Sequence, residues 1–256
     1  MTSLITLKSA TEIGKMRRAN QIVAEVLQLM RERVAPGVTT AELDELAEAV
    51  IRGHDAIPSF KGYPPGSANP FPASICASVN DELVHGIPGP RVLQEGDIIS
   101  VDVGAILDGY HGDASVTLPV GQINAQVQSL LEVTEGSLYA GIAAARAGSR
   151  TGDISAAIQS YVEGRGYNVV REYTGHGIGR EMHEDPQVPN YGKPGTGPQL
   201  RKGMTVALEP MVLAGDSCVR VLDDHWTVVS CDGNLTAHFE HTIAVTDGDA
   251  DILSRL

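Results

Sequence analysis

Cysteine is scarce in this sequence, and its arrangement excludes two kinds of stabilised domain. Only Cys76, Cys218 and Cys231 are present, an odd number without paired spacing. Such a set supports neither a disulfide framework nor a zinc ribbon. We therefore expect three reduced thiols in a cytoplasmic protein.

Targeting and membrane-spanning signals are lacking as well. The segment Met1–Lys15 contains no apolar core of the length that a signal peptide needs. The uninterrupted apolar runs are all far shorter than the roughly 20 residues of a membrane-spanning helix. The sequence therefore predicts a cytoplasmic location and no membrane partner.

Positive charge is also in short supply. The chain carries 19 lysines and arginines against 32 aspartates and glutamates, which gives a formal net charge of −13. Binding to nucleic acids or to anionic membranes requires a positive surface. We therefore expect no specific nucleic-acid partner.

Several common catalytic motifs are absent. The sequence contains neither a Gly-Xaa-Ser-Xaa-Gly motif nor a Walker motif, and the glycine-rich run around His176 lacks the spacing of a dinucleotide-binding fingerprint. No segment resembles a flexible linker. The 256 residues are thus expected to form one large domain or two tightly fused halves, large enough to fold without a disulfide or a structural metal.

Capping signals and apolar periodicity predict an α+β chain. Ser9 and Glu12 have capping-box spacing at the start of a first helix, and Pro36-Gly37 ends it. Asp108-Gly109 predicts a tight hairpin turn. A second predicted helix begins after Thr39 or Thr40 and ends at Gly53. Two more are predicted over Asn124–Ala147 and Gly152–Gly164. The predicted strands are Ile75–Val79, Ile98–Val103, Gly112–Leu118, Tyr167–Arg171, Thr205–Val212, Trp226–Ser230 and His238–Val245.

An internal repeat predicts two related halves, with chance similarity of helix starts as the alternative. The helix start at 36–40 recurs at 147–151, and His85-Gly86-Ile87 recurs as His176-Gly177-Ile178. The strand segment 96–102 aligns with 203–209, so that Asp102 is equivalent to Glu209. We expect one catalytic domain over residues 1–256, with internal halves of roughly 10–120 and 121–246 and no N-terminal extension domain.

Acidic residues interrupt the predicted apolar strands. Asp102, Glu209 and Glu240 each lie in such a segment, and the predicted hairpin can bring Asp113 to Asp102. A buried ionised carboxylate must be paired, protonated or bound to a cation. One such residue is more often part of a structural ion pair, and Asp113 alone would be read as an exposed turn residue. Three strand carboxylates with few basic residues nearby favour a metal site.

Two histidines lie in a stretch rich in glycine and proline between the acidic strands. His176 is flanked by glycines, and His183 precedes Glu184 and Asp185. A lone histidine is usually solvated or hydrogen-bonded, but two in this context favour a functional role. Four carboxylates and an imidazole suit a pair of divalent ions, which can lower the pKa of a shared water for attack on a carbonyl. The predicted reaction class is metal-assisted hydrolysis.

At this point the sequence resembles the type I methionine aminopeptidases over nearly its whole length. That family has the pita-bread fold, in which pseudo-twofold half-domains form a curved antiparallel sheet covered by helices. The segments that carry the resemblance are Asn80–Pro88, Asp102–Gly104, Asp108–Asp113, Gly175–Gly179, His183–Tyr191, Leu208–Met211 and Phe239–Thr242.

The resemblance implies a complete metal site and its activity. Two divalent ions, Co, Mn, Fe or Zn, would be held by Asp102, Asp113, His176, Glu209 and Glu240. Glu209 would also be the general base, and a metal-bridged hydroxide would attack the scissile carbonyl. By the same resemblance His183 would contact the carbonyl oxygen and His85 the amide nitrogen. The family removes the initiator methionine from nascent proteins whose second residue is small.

The resemblance also implies an apolar methionine pocket. This chain has Phe60 where the family often has cysteine, Met182 where it often has an aromatic residue, and a longer loop at 64–70. On composition alone, Trp226 could equally be a core or rim aromatic. The implied pocket residues, besides His85 and His183, are Phe60, Tyr63, Phe71, Cys76, Met182 and Trp226.

Further implications concern other ligands and partners. Relatives place a monovalent cation near the positions of Asn80 and Thr236. N-terminal methionine peptides are the expected substrates, with a transient ribosome contact and a monomeric state. One alternative is a pita-bread hydrolase that cuts Xaa-Pro bonds, although such relatives usually carry an extra N-terminal domain. The other is a non-catalytic binding module, although such modules have typically lost metal ligands.

Overall fold

Helices and antiparallel strands alternate along the chain. The computed structural model describes residues 5–255. The helices are α1 (Ala10–Arg33), α2 (Thr40–Gly53), α3 (Ala125–Ala144) and α4 (Thr151–Glu163). The strands are β1 (Ile57–Pro58), β2 (Ile75–Val79), β3 (Glu82–Val84), β4 (Ile98–Leu107), β5 (Tyr110–Pro119), β6 (Asn168–Val169), β7 (Thr174–Gly177), β8 (Glu184–Pro189), β9 (Thr205–Leu208), β10 (Met211–Leu213), β11 (Val219–Val221), β12 (Val228–Ser230), β13 (Thr236–His238), β14 (His241–Ala244) and β15 (Asp251–Ile252).

The helix starts follow their capping signals. Ser9 accepts a hydrogen bond from the backbone N–H of Glu12, and the Glu12 carboxylate accepts one from the backbone of Ser9. Thr39 and Glu42 make the same reciprocal pair at the start of α2. These bonds satisfy N–H groups that the first turn of a helix leaves unpaired. The predicted positions of all four helices are confirmed to within a few residues.

The central hairpin joins β4 and β5 through the predicted Asp108-Gly109 turn. Leu107 pairs with Tyr110, which leaves two residues in the turn, and both have positive φ angles of 52° and 75°. That backbone favours asparagine, aspartate and glycine at these positions. The register places Gly104 opposite Asp113 and Asp102 opposite Ser115. Asp102 and Asp113 are therefore diagonal neighbours on one face of the hairpin.

Four sheets contain the described strands. Strands β1, β4 and β2 lie side by side with β5 next to β4; the others are β13-β10-β6, β11-β12-β3 and β15-β14-β9-β7-β8. Helix α1 packs against β4 and β5, and α3 packs against α4. One buried apolar cluster includes residues of all four helices, among them Val23, Leu43, Leu138 and Ile154. None of the helices between residues 5 and 255 combines the length and apolar character that a membrane crossing requires.

Two predicted strands are each divided in the structure. The segment Thr205–Val212 is broken between β9 and β10, and His238–Val245 is broken between β13 and β14. Glu209 and Pro210 occupy the first break, Phe239 and Glu240 the second. The predictions that Glu209 and Glu240 each lie within a continuous strand were therefore wrong. Proline cannot donate to a strand ladder, which is one physical reason for the first break.

The prediction of three reduced thiols was wrong for two of the cysteines. Cys218 and Cys231 form a disulfide, with their Cα atoms 5.4 Å apart, and Cys76 is free and buried. Strands β11 and β12 pair Val219 with Ser230, which brings the two flanking cysteines opposite each other. The sequence analysis did not predict β11, so it found no reason to pair these cysteines.

Candidate active site

The two aspartates of the central hairpin lie at the bottom of a pocket. Asp113 is buried, with 2% of its surface exposed, while Asp102 is partly exposed toward the pocket that both residues line. The diagonal register described above directs both carboxylates to the same side. The prediction that the hairpin brings Asp113 to Asp102 is thus confirmed.

The two strand breaks deliver the glutamates to the same pocket. The backbone N–H of Glu240 donates to the Ser115 carbonyl at 2.9 Å, which attaches this break to β5. The Asn190 amide donates to the Glu209 carbonyl at 3.1 Å and holds the other break. Both glutamate side chains line the pocket with Asp102 and Asp113.

His176 brings the fifth predicted ligand from β7. Its Nδ1 lies 2.9 Å from the Gly177 carbonyl oxygen, which can only accept, so Nδ1 carries the proton. The lone pair of Nε2 then points into the site, 3.4 Å from Glu209 Oε1 and 3.8 Å from Asp113 Oδ2. A lone pair facing two acceptors calls for a cation between them. This tautomer is the one that metal-bound histidines commonly adopt.

The donor set fits a divalent metal. Potential ligand atoms of Asp113, His176 and Glu240 lie within 4.8 Å of one another. Within residues 5–255, buried oxygens of Asp102, Asp113 and Glu240 have no hydrogen-bond partner. In this described part of the chain, the ion-pair contacts of Asp113, Glu209 and Glu240 are to imidazoles alone. Buried polar atoms without partners at this density fit a site that binds a cation.

Electrostatics supports the same interpretation. Burial raises the pKa of Asp102 to about 7. Burial, followed by the charges of neighbouring carboxylates, also raises the pKa values of Asp113, Glu209 and Glu240. Without a cation these groups would resist ionisation together, because each negative charge disfavours the next. A divalent cation would restore their ionised forms.

Two further histidines, His85 and His183, line the pocket. His183 is exposed, and its Nδ1 lies 2.7 Å from the Tyr63 hydroxyl. The ring of His85 lies edge-on to Trp226, with centroids 6.2 Å apart. The surrounding protein removes part of the water from the His183 ring and so lowers its pKa. Burial, together with the charge of His183, lowers the pKa of His85 to about 4. Both imidazoles are therefore neutral near pH 7 and can donate or accept a hydrogen bond.

The pocket has a volume of about 140 Å³, and the side chains that line it beside the carboxylates and histidines are largely apolar. That volume far exceeds the roughly 10–15 Å³ that one water molecule needs by the same measure. The ring of Phe71 packs edge-on against Trp226, with centroids 5.2 Å apart. Phe71 forms a buried cluster with Cys76, and Trp226 packs against it. The structure brings all six predicted pocket residues to this wall: Phe60, Tyr63, Phe71, Cys76, Met182 and Trp226.

The predicted cation position lies apart from this pocket. The Thr236 hydroxyl is 3.2 Å from the Asn80 carbonyl oxygen and 2.9 Å from that of Glu82. Asn80 adopts a positive φ of 62°. The residues are therefore neighbours, and the cation itself stays a prediction.

Sequence reasoning gave no role to one residue of the site. His238 begins a predicted strand and was given no role, yet its Nε2 lies 3.7 Å from Glu209 Oε2 and 3.9 Å from Glu240 Oε2. Its alternation with Glu240 was the available signal. The break after β13, which decides where the ring points, could not be foreseen.

Comparisons with known proteins agree with this geometry. The sequence matches the family model described as Metallopeptidase family M24 over residues 14–247. It is 54% identical to methionine aminopeptidase 1 of Bacillus subtilis strain 168, across 99% of this chain and 100% of that protein. The crystal structure of methionine aminopeptidase from Thermotoga maritima has a TM-score of 0.95 at 46% identity, covering 99% of this chain and 100% of that one.

A more distant likeness concerns the fold alone. The prolidase from Pyrococcus horikoshii has a TM-score of 0.79 at 21% identity. The match covers 98% of this chain and 64% of that one.

Proposed function

The chain belongs to metallopeptidase family M24 and, within it, to the methionine aminopeptidases, and from this premise we propose how its pocket removes an N-terminal methionine. The pita-bread fold predicted from the sequence is confirmed by the likeness to the solved methionine aminopeptidase. The observation that carries the proposal is the convergence of four carboxylates and His176 in a pocket that is otherwise largely apolar. The substrates would be nascent chains whose second residue is small.

Five side chains would hold two divalent ions. They are Asp102, Asp113, His176, Glu209 and Glu240, all of which line the pocket. Carboxylates and imidazole together accept Mn, Fe, Co or Zn. When bound, such ions supply a water of lowered pKa and polarise the carbonyl of the substrate.

The residues of this chain then control protons and orientation. Glu209, whose pKa burial raises, would take the proton of the attacking water and pass it toward the leaving amine. His183, oriented by the Tyr63 hydroxyl, would donate to the scissile carbonyl oxygen. His85 would assist at the amide nitrogen, and its packing against Trp226 limits the rotation of its ring.

The cavity would select methionine by shape and polarity. Its walls combine aromatic rings with the sulfur-containing side chains of Cys76 and Met182. A thioether packs favourably against aromatic edges and adapts to irregular apolar space. A charged side chain would lose its hydration there without a compensating partner.

A peptide panel tests this proposal against the Xaa-Pro alternative. Release of the first residue is measured from Met-Ala-Ser and from Ala-Pro-Ser peptides, with each candidate metal added in turn. We expect cleavage of the methionine peptide alone. Cleavage confined to the proline peptide would refute the assignment, and no cleavage with any metal, together with no metal uptake, would favour a binding module.

Variants of the central hairpin separate the metal site from general effects of charge. Asp102→Asn removes one proposed ligand, whereas Asp108→Asn alters the exposed turn residue that pairs with Arg18. We expect the first to reduce kcat at least 100-fold and the second to leave it within about twofold. Equal activity of the Asp102→Asn variant and the wild type would contradict the ligand assignment.

We also propose a bound monovalent cation, a monomeric state in the cytoplasm and a transient ribosome contact. A monovalent cation would bind where the Asn80 and Glu82 carbonyls approach the Thr236 hydroxyl, and thermal stability in potassium against tetramethylammonium salts tests it. The chain would act as a monomer in the cytoplasm, which sedimentation and cell fractionation test. The net charge of −13 predicts that any ribosome contact is transient and salt-sensitive.

A further inference from the structure

His238 is held firmly at the last position of β13. Its backbone N–H donates to the Thr117 hydroxyl oxygen at 2.8 Å, and that hydroxyl donates to the His238 carbonyl at 2.9 Å. The residue is 2% exposed. The two bonds fix the backbone from which the side chain extends, and burial restricts the rotation of the ring.

The Nε2 atom of His238 lies between two carboxylates. Nε2 of His238 is 3.7 Å from Glu209 Oε2 and 3.9 Å from Glu240 Oε2. Both distances exceed hydrogen-bonding range, and within the described residues this buried nitrogen has no partner. A buried donor without a partner is unfavourable by about 1–3 kcal/mol. A small rotation of either glutamate would satisfy it.

Glu209 therefore lies between two imidazoles. Its Oε1 faces His176 at 3.4 Å, and its Oε2 faces His238 at 3.7 Å. The first imidazole presents a lone pair, because its Nδ1 proton is committed to the Gly177 carbonyl. The second imidazole presents its unpartnered Nε2 to one oxygen of Glu209 and one of Glu240.

That difference indicates different tasks for the two rings. A neutral His238 can carry its proton on Nε2, where two acceptor oxygens stand, whereas a lone pair there would face both oxygens unfavourably. Glu209 needs one oxygen for the metal and leaves the other free. A fixed N–H at the free oxygen would hold the carboxylate in its coordinating orientation.

We propose that His238 is a positioning residue. Its Nε2–H donates to Oε2 of Glu209 and so orients that glutamate toward the metal. This inference rests on the metal site of the proposed function and deepens it. Fixing one rotamer in advance removes part of the entropy that metal binding would otherwise have to overcome. Metal affinity is therefore the property most directly affected.

Matched variants test the role of this donor. His238→Gln keeps an N–H donor at a similar reach, whereas His238→Leu and His238→Met keep the volume without a donor. His241→Leu is the control. This histidine directly follows Glu240 in the sequence, but its Nδ1 bonds the Ser254 hydroxyl at 2.8 Å. Titration of the chelator-treated proteins with Mn²⁺ by calorimetry gives the dissociation constants, and the visible absorption of bound Co²⁺ reports the ligand set.

We expect the leucine and methionine variants to bind Mn²⁺ about 10–100-fold more weakly, the range typical for removal of such supporting partners. The glutamine variant and the control should stay within about threefold of the wild type, with an unchanged Co²⁺ spectrum. Thermal unfolding of the metal-free variants verifies their folding, and the methionine variant serves if the leucine variant fails to fold.

Three outcomes would overturn the inference. If the variants without a donor bind Mn²⁺ as tightly as the wild type, His238 does not orient Glu209. If the glutamine variant loses as much affinity as leucine and its Co²⁺ spectrum changes, the imidazole is itself a ligand. If the wild type binds neither ion, the proposed metal site fails and this inference with it.

Discussion

The charge state of Asp102 should make the metal-free protein less stable as the pH rises. The perturbation is removal of metal by a chelator, followed by urea unfolding between pH 5 and pH 8. Burial raises the pKa of Asp102 from 3.8 to about 7. Between these values the folded state holds a proton that the unfolded state has released. The free energy of unfolding therefore falls with rising pH in this window.

The magnitude follows from the size of the shift. A difference of about three pKa units at about 1.4 kcal/mol per unit gives a loss on the order of 4 kcal/mol, which Asp102 shares with the neighbouring group whose titration is coupled to its own. The loss should be complete near pH 8 and largely absent near pH 4. Because other groups titrate in the same range, the comparison with Asp102→Asn isolates this contribution: the amide cannot ionise.

The expected result is a reversal between metal-free and metal-loaded protein. Without metal, Asp102→Asn should be more stable than the wild type by an amount that grows by about 1.4 kcal/mol per pH unit from pH 5 to pH 7. With saturating Mn²⁺ the wild type should regain stability through binding to the folded state, and the variant should gain less. Parallel pH curves for the two metal-free proteins would refute the reasoning.

Three further predictions concern the Cys218–Cys231 disulfide, the core and the pocket. Cys218→Ser should lower the free energy of unfolding by about 3 kcal/mol in urea, because the bond to Cys231 closes a loop of similar length to those that give this value; a wild type insensitive to dithiothreitol would contradict it. Gly112→Ala should lower thermal stability by about 1–3 kcal/mol, since its Cβ would lie 2.6 Å from the backbone of α1, whereas Gly14→Ala meets nothing and should not. Trp226→Ala should reduce kcat/KM for a Met-Ala peptide about 10–100-fold, the effect of about 1.5–3 kcal/mol of lost apolar contact, with unchanged Mn²⁺ affinity; an unchanged kcat/KM would remove this residue from the pocket.

Local signals predicted much of the fold. The two capping boxes, at Ser9 and Thr39, mark helix starts because the bonds join residues three positions apart. The Asp108-Gly109 turn marks the central hairpin for the same reason, since two residues with positive φ define it. Interactions over a few residues are encoded in a few residues, and these predictions are confirmed.

Predictions failed where a distant segment decides the local backbone. The breaks at Glu209 and Glu240 depend on partners far away in the sequence, such as Ser115 on β5. The apolar runs on either side look continuous, so a single strand was predicted in each case. The Cys218–Cys231 bond was missed for a related reason: its pairing requires β11, a strand of three residues.

The sequence by itself determined which residue types are available for metal and where the helices and the central hairpin begin. It also carried enough family-specific motifs for the resemblance to be stated from residues alone. Only the tertiary structure decided that the carboxylates meet in one pocket, that His176 presents a lone pair there, and that His238 faces Glu209. The physical reason is range: neighbours along the chain decide capping and turns, whereas a site whose ligands come from three strands and two strand breaks exists only after those segments have packed together.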